Sequence, residues 1–183
     1  MQGVLNLMVK AEEQIGGSAL PAPFSSWFAK RGWHPHPHQL EMVCAAGEGV
    51  DALLIAPTGG GKTLAGFLPS LIDIARNGAE GLHTLYVSPL KALAVDVERN
   101  LRIFVAEMEL PIRIETRTGD TSQHKRQRQR FDPPHMLLTT PESLALLLSY
   151  PDSRRYFKYL KTVIVDEVHA MADNKRGDQM ALC

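Results

Sequence analysis

The stretch APTGGGKT, Ala56 to Thr63, constrains this chain more than any other. It follows an apolar run, DALLIA (51–56), and precedes a segment with helical character. Gly59, Gly60 and Gly61 permit the backbone angles that turn successive N–H groups inward, which makes an anion nest. A helix beginning near Lys62 adds its positive end. The pattern is that of a P-loop with Ala56 in place of the first glycine. Its candidate nucleotide ligands are Pro57, Thr58, Gly59, Gly60, Gly61, Lys62 and Thr63. Lys62 would reach the β- and γ-phosphates, and the Thr63 hydroxyl would ligate Mg²⁺. The competing reading is a flexible glycine turn with a surface lysine, but strand, loop and helix occur in the order a phosphate loop requires.

Around this loop the sequence alternates. DALLIA (51–56), HTLYVS (83–88), IRIETR (112–117), HMLLTT (135–140) and TVIVD (162–166) each read as a short, mostly apolar strand bounded by turn signals. Short helices are expected at 24–31 and 37–46, and a longer one over 91–108. In the last, Leu93, Val97, Leu101, Phe104, Val105 and Met108 form one apolar stripe. Strands alternating with helices predict an α/β chain with a mostly parallel sheet covered on both faces. Ligands of such sheets sit beyond the carboxyl ends of the strands. There the run TVIVDEVHA (162–170) delivers two adjacent carboxylates, Asp166 and Glu167, with His169 two places on. If the 51–56 and 162–166 strands lie parallel in one sheet, Asp166 emerges on the edge that holds Thr63 and helps bind Mg²⁺. Glu167 then orients and deprotonates an attacking water.

Composition excludes rather than selects. Lys plus Arg and Asp plus Glu both total 20, so any nucleic-acid surface must be local. Cys44 and Cys183 match no zinc or redox spacing and read as reduced thiols of a cytoplasmic protein. No apolar run is long enough for a bilayer, and the first residues lack signal-peptide character, so no membrane association is expected. GGSALPAP (16–23) reads as a boundary after an N-terminal extension, residues 1–22. RGDQMALC stops in an apolar-periodic stretch without a helix-stop residue, which reads as a truncated chain; a short helix fraying at a natural end is the alternative.

APTGGGKT followed by DEVH resembles the superfamily 2 helicases of the DExH-box type. YVSPLKALAVDVERNL (86–101), TRTGDT (116–121), LLTTPESLALLL (137–148) and KRGDQMAL (175–182) narrow the likeness to the large-helicase-related group. Within it the chain is most similar to bacterial ligase-associated DEXH-box DNA helicases. The resemblance implies that residues 23–183 form the first RecA-like domain, a P-loop NTPase fold cut short before motif III and the second RecA-like domain. It implies ATP and Mg²⁺ as cofactors, with Lys62, Asp166, Glu167 and His169 as catalytic residues, Thr63 and Asp166 on the metal, and His169 coupling nucleotide to nucleic acid. PHPHQ (35–39) looks like the adenine-reading Q motif. Gln39 would match the adenine edge with its donor and acceptor, and Trp33 or Phe28 would stack on the base. His34, His36 and His38 are also readable as a metal tract, but they lack an acidic or cysteine partner. Pro89, Lys91, Thr118, Gly119, Thr140 and Pro141 would follow the nucleic-acid backbone. TTPES reads equally as a capped helix start with Thr140 at the N-cap and Pro141 at N1. The basic run HKRQRQR (124–130) is either a phosphate track or a solvated helix face.

The whole protein implied by the resemblance unwinds single-stranded or partial duplex DNA with 3′ to 5′ polarity and works in DNA repair, in functional association with DNA ligase and nuclease repair proteins. Two competitors stand: a P-loop ATPase that does not act on nucleic acid, and a non-enzymatic fragment that only binds nucleotide or nucleic acid.

Overall fold

The computed structural model describes residues 20–57 and 59–170. The expectations for 1–19, for Thr58 and for the segment 175–182 lie outside these. The chain divides into two compact units, Met1–Ile72 and Asp73–Cys183.

In the first unit, α1 (Ala22–Lys30) buries Phe24, Trp27 and Phe28, whose i, i+3, i+4 spacing puts them on one helix face. Next, α2 (Pro37–Gly47) starts with Pro37 at its first position, where a missing N–H costs nothing. Three residues beyond its N-cap, Gln39 folds back, and its Oε1 accepts from the His36 N–H at 2.9 Å. Then comes α3 (Lys62–Asn77), within which the unit boundary falls.

The second unit holds the whole sheet. Its strands are β1 (Thr84–Val87), β2 (Ile114–Arg117), β3 (Met136–Thr139) and β4 (Thr162–Val165), in the order β2-β3-β1-β4 with every pairing parallel. The register aligns Thr84 with Met136 and with Thr162, and Ile114 with Met136. Every residue of β1, β2 and β3 is buried: β1 and β3 are mostly apolar, as strands covered on both faces tend to be, while β2 also buries Glu115, Thr116 and Arg117. On one face Leu85, Val87 and Leu137 pack with Leu144 and Leu147 of α6 (Pro141–Leu148) and with Tyr156 of α7 (Ser153–Tyr156). Burying one such leucine contributes about 1.5–3 kcal/mol. The long helix α4 (Lys91–Glu107) packs on β2 and β3 and buries Val97, Leu101, Phe104 and Val105 of the expected stripe. Ala94 is fully buried where Leu93 is only partly so. Between β2 and β3, α5 (Gln123–Phe131) is capped by Ser122, whose hydroxyl accepts from the Lys125 N–H.

One expected strand is not formed. Residues 51–56 make no ladder, and Leu53 and Ile55 are 79% and 87% exposed. A strand exists only through partners for its N–H and C=O groups, and an apolar run does not by itself supply them. Among the described residues of the second unit β4 is an edge strand, with Val163 51% exposed.

Candidate active site and nucleic-acid edge

The phosphate loop belongs to the first unit. Gly59 and Gly61 hold φ of +80° and +72°, the left-handed region that favours glycine. The Gly60 N–H donates to the Pro57 carbonyl at 3.1 Å, which closes the turn ahead of α3. At Gly61 a Cβ would lie 2.7 Å from Gln39 Nε2, so the cradle is one that a side chain would fill. Lys62 is the first residue of α3, as the motif requires, and Thr63 follows it, exposed. These features fit a phosphate ligand: left-handed glycines, a helix start and a lysine at that start.

Gln39 is 2% exposed and engaged at both ends. Its Nε2 donates to the Gly61 carbonyl at 3.3 Å while its Oε1 holds the His36 N–H. It therefore links the start of α2 to the phosphate loop, a connection that no spacing in the sequence reveals. Of the two stacking candidates, Phe28 is buried, while Trp33 is 56% exposed beside Trp27 at 5.8 Å. Arg31 lies over the Trp27 ring at 4.2 Å. His36 and His38 stack at 5.3 Å, and among the described residues no group of three or more His, Cys, Asp or Glu could hold a metal ion.

The other predicted site residues gather at the carboxyl ends of the strands in the second unit. Asp166 directly follows β4, and its N–H donates to the Val87 carbonyl at 2.9 Å. Its Oδ2 accepts from the Tyr86 phenol at 2.7 Å, and its Oδ1 accepts from the Glu167 N–H at 2.8 Å. Burial first, and the Asp166 carboxylate second, push the Tyr86 phenol far above the usual tyrosine range, so it stays a donor. Glu167 takes φ of +51°, a conformation that costs a non-glycine residue about 1–3 kcal/mol. Its Oε2 lies 3.0 Å from His169 Nε2. Asp166, Glu167 and His169 are thus one connected group, anchored by a tyrosine that sequence reasoning missed.

Beyond β1, Lys91 opens α4 and its Nζ pairs with Asp120 at 3.0 Å, beside Gly119. Beyond β2, the TGDT turn is tied by the Thr118 N–H to the Thr121 hydroxyl at 2.9 Å. Beyond β3, Thr140 caps α6, accepting from the Ser143 N–H at 3.4 Å, with Pro141 at N1. Pro89, Lys91, Thr118, Gly119, Thr140 and Pro141 therefore stand along one sheet edge, since all the strands are parallel. Thr63 belongs to the first unit and Asp166 to the second.

The basic run of α5 is not simply a solvated face. Arg126 donates to the Thr118 and Gly119 carbonyls at 3.0 and 2.6 Å. Arg128 pairs with Glu115, Arg130 pairs with Asp152 at 2.7 Å, and Gln129 is fully buried against Glu115.

Residues 36–183 match the DEAD/DEAH box helicase family. The chain belongs to that family. It is 48% identical over 169 residues to the Lhr helicase/probable uracil glycosylase of Mycolicibacterium smegmatis, covering 85% of this chain and 11% of that protein. Among solved structures it is similar to the Mycobacterium smegmatis helicase Lhr bound to ssDNA and AMP-PNP. There the TM-score is 0.77 and the identity 45%, over 88% of this chain and 22% of that one. It is also similar to the DUF1998 helicase MrfA bound to DNA and AMPPNP, with TM-score 0.75 and 31% identity over 85% and 22%. The expected α/β class and the likeness to the large-helicase-related group are borne out, and the fold is that of RecA-like helicase domains. The chain spans about a tenth to a fifth of the length of the curated relatives it matches. Among the described residues no helix is long and apolar enough to cross a membrane.

Proposed function

We propose that this chain is the nucleotide-binding N-terminal motor domain of an ATP-dependent DNA helicase, with residues 23–183 as the first RecA-like domain. A second RecA-like domain, carried by a longer protein, would complete the motor, and ATP hydrolysis there drives translocation on single-stranded or partial duplex DNA. One observation carries the reading: Asp166 and Glu167 share a strand edge with Lys91, Thr118, Gly119 and Thr140, so acids suited to phosphate chemistry adjoin donors suited to a nucleic-acid backbone.

Bound Mg²⁺·ATP supplies the anhydride, and its metal neutralises charge on the phosphates. The chain's own residues do the rest. The loop 59–63 offers backbone N–H groups, and Lys62 offers a positive charge at the helix start. Thr63 would offer its hydroxyl to Mg²⁺, and in the second unit Asp166 would offer a carboxylate that Tyr86 holds in place. Glu167 takes a proton from water at its carboxylate, held by His169. Gln39 and Trp33 would receive the adenine, Gln39 by releasing the bonds that now hold it to His36 and Gly61. Pro89 and Pro141 shape the turns that present the strand-facing donors. Function in DNA repair, association with ligase and nuclease proteins, membership of the ligase-associated branch and a cytoplasmic location belong to this same reading as what the sequence resemblance implies, while the likeness to helicases solved with DNA supports the nucleic-acid part alone.

The test is equilibrium binding of fluorescent oligo(dT) to the chain. Saturable binding weakened several-fold by Lys91→Ala is the expected result. Absence of binding would favour a P-loop ATPase that does not act on nucleic acid.

A further inference from the structure

Four residues of α5, Gln123, Arg126, Gln127 and Arg130, follow the i, i+3, i+4, i+7 spacing of a single helix face. They line a cleft of about 480 Å³ together with Arg117 and Tyr150. A cleft of that size falls within the range of small-ligand sites, about 300–1,000 Å³.

Its floor is unusual. Arg117 is 1% exposed, the largest fully buried side chain described. Its Nη1 donates to the Arg126 carbonyl at 3.0 Å, but its Nη2 meets no acceptor. The Nε atoms of Arg126 and Arg130 are likewise buried without an acceptor. Leaving buried charged donors unmet is costly, so such groups mark a place where an acceptor belongs. The charges are also unbalanced. Asp152 engages Arg130, while Glu115 serves Arg128 and Gln129, and Asp120 pairs with Lys91. Arg117 and Arg126 find no carboxylate: Arg126 meets backbone carbonyls, and Arg117 a backbone carbonyl and the Tyr150 side chain. The Tyr150 ring lies 4.2 Å from the Arg130 guanidinium carbon and 5.9 Å from that of Arg117, and so orients two of the forks. The cleft includes Thr121 and Gln123 at the start of α5, where the helix dipole also favours an anion.

We propose that this cleft is a phosphate-binding site, separate from the loop 56–63, with Arg117 as its buried anchor. Guanidinium forks suit the several oxygens of a phosphate. The phosphate belongs either to a nucleic-acid strand or to a free phosphate compound. The first form rests on the nucleic-acid reading above; the second does not. Because Arg126 also grips the Thr118 and Gly119 carbonyls, an occupant here bears on the TGDT turn.

The test uses the chain carrying Lys62→Ala, which silences the phosphate loop. Arg117 is too buried for its replacement to be clean, so the probing variant is Gln127→Glu at the exposed mouth of the cleft. Asn100→Asp, exposed on α4, is the charge-matched control. Inorganic phosphate at constant ionic strength is expected to raise the thermal midpoint, and Gln127→Glu to cut that rise at least by half while the control does not. In parallel, oligo(dT) affinity is followed against salt. Loss of one strand phosphate contact lowers the log–log slope by about 0.7. An effect in the salt arm identifies a strand phosphate, and an effect of inorganic phosphate alone identifies a free one. If oligo(dT) fails to bind but the phosphate effect stands, the nucleic-acid reading falls and the cleft survives. If Gln127→Glu behaves as Asn100→Asp in both arms, the proposal is overturned.

Discussion

The Tyr86 phenol reaches from β1 to β4 and donates to Asp166 Oδ2 at 2.7 Å. The register sets Tyr86 opposite Ile164, two residues short of the acid, so the phenol spans just that offset. This makes Tyr86 a positioning residue for the carboxylate proposed to help hold Mg²⁺. Removing a group that orients a metal ligand commonly costs 10–100-fold in metal affinity. Tyr86→Phe should therefore raise the Mg²⁺ concentration needed for half-maximal nucleotide binding about tenfold, with little change in metal-free nucleotide binding. An unchanged Mg²⁺ dependence in a titration of a fluorescent nucleotide would remove Tyr86 from the site.

A second network sits before β1. Asp73 accepts from His83 at 2.7 Å, from Lys161 at 2.9 Å and from Asn77 at 2.6 Å. The His83 bond, chiefly, holds its carboxyl far below the usual carboxylate range, against the opposing effect of burial and with help from Lys161. A depressed folded-state value means stability that is present above the unfolded value of about 3.9 and lost progressively as pH falls from there through the lower folded value. Urea unfolding at pH 5, 4, 3 and 2.5 should show a falling midpoint for the parent chain. Asp73→Asn should start lower at pH 5 and fall less, so that the two curves converge. Parallel curves would contradict the assignment.

Gly61 is the strictest position in the phosphate loop. Its φ of +72° disfavours any side chain, and a Cβ would strike Gln39 Nε2 at 2.7 Å. Gly61→Ala should cost about 1–2 kcal/mol from the left-handed backbone alone. It should also free Gln39 from the loop and abolish nucleotide binding. Circular dichroism melts and nucleotide titration check both parts; an Ala variant with parental melting and binding would contradict them.

Much of the second unit was legible because its signals are local. Apolar runs with turn residues marked β1 to β4, Thr140-Pro141 marked the start of α6, and the stripe from Val97 to Val105 marked α4. What was not legible depends on partners distant in sequence. Tyr86 meets Asp166 only because β1 and β4 pair, and nothing near Tyr86 in the sequence says so. The arginines of α5 read as either a phosphate track or a solvated face, and their internal partners Glu115, Asp152 and the Thr118 carbonyl were not legible because they lie elsewhere in the chain. The run 51–56 carries strand character, yet a ladder needs a neighbour as well as a pattern.

The central claim is that the loop 59–63 binds nucleotide while Glu167 serves only the reaction. The most direct measurement is titration of a fluorescent ATP analogue with Mg²⁺ into the chain and two variants. Saturable binding by the parent, its loss in Lys62→Ala and its retention in Glu167→Gln is the predicted result. Equal binding by parent and Lys62→Ala would contradict the account.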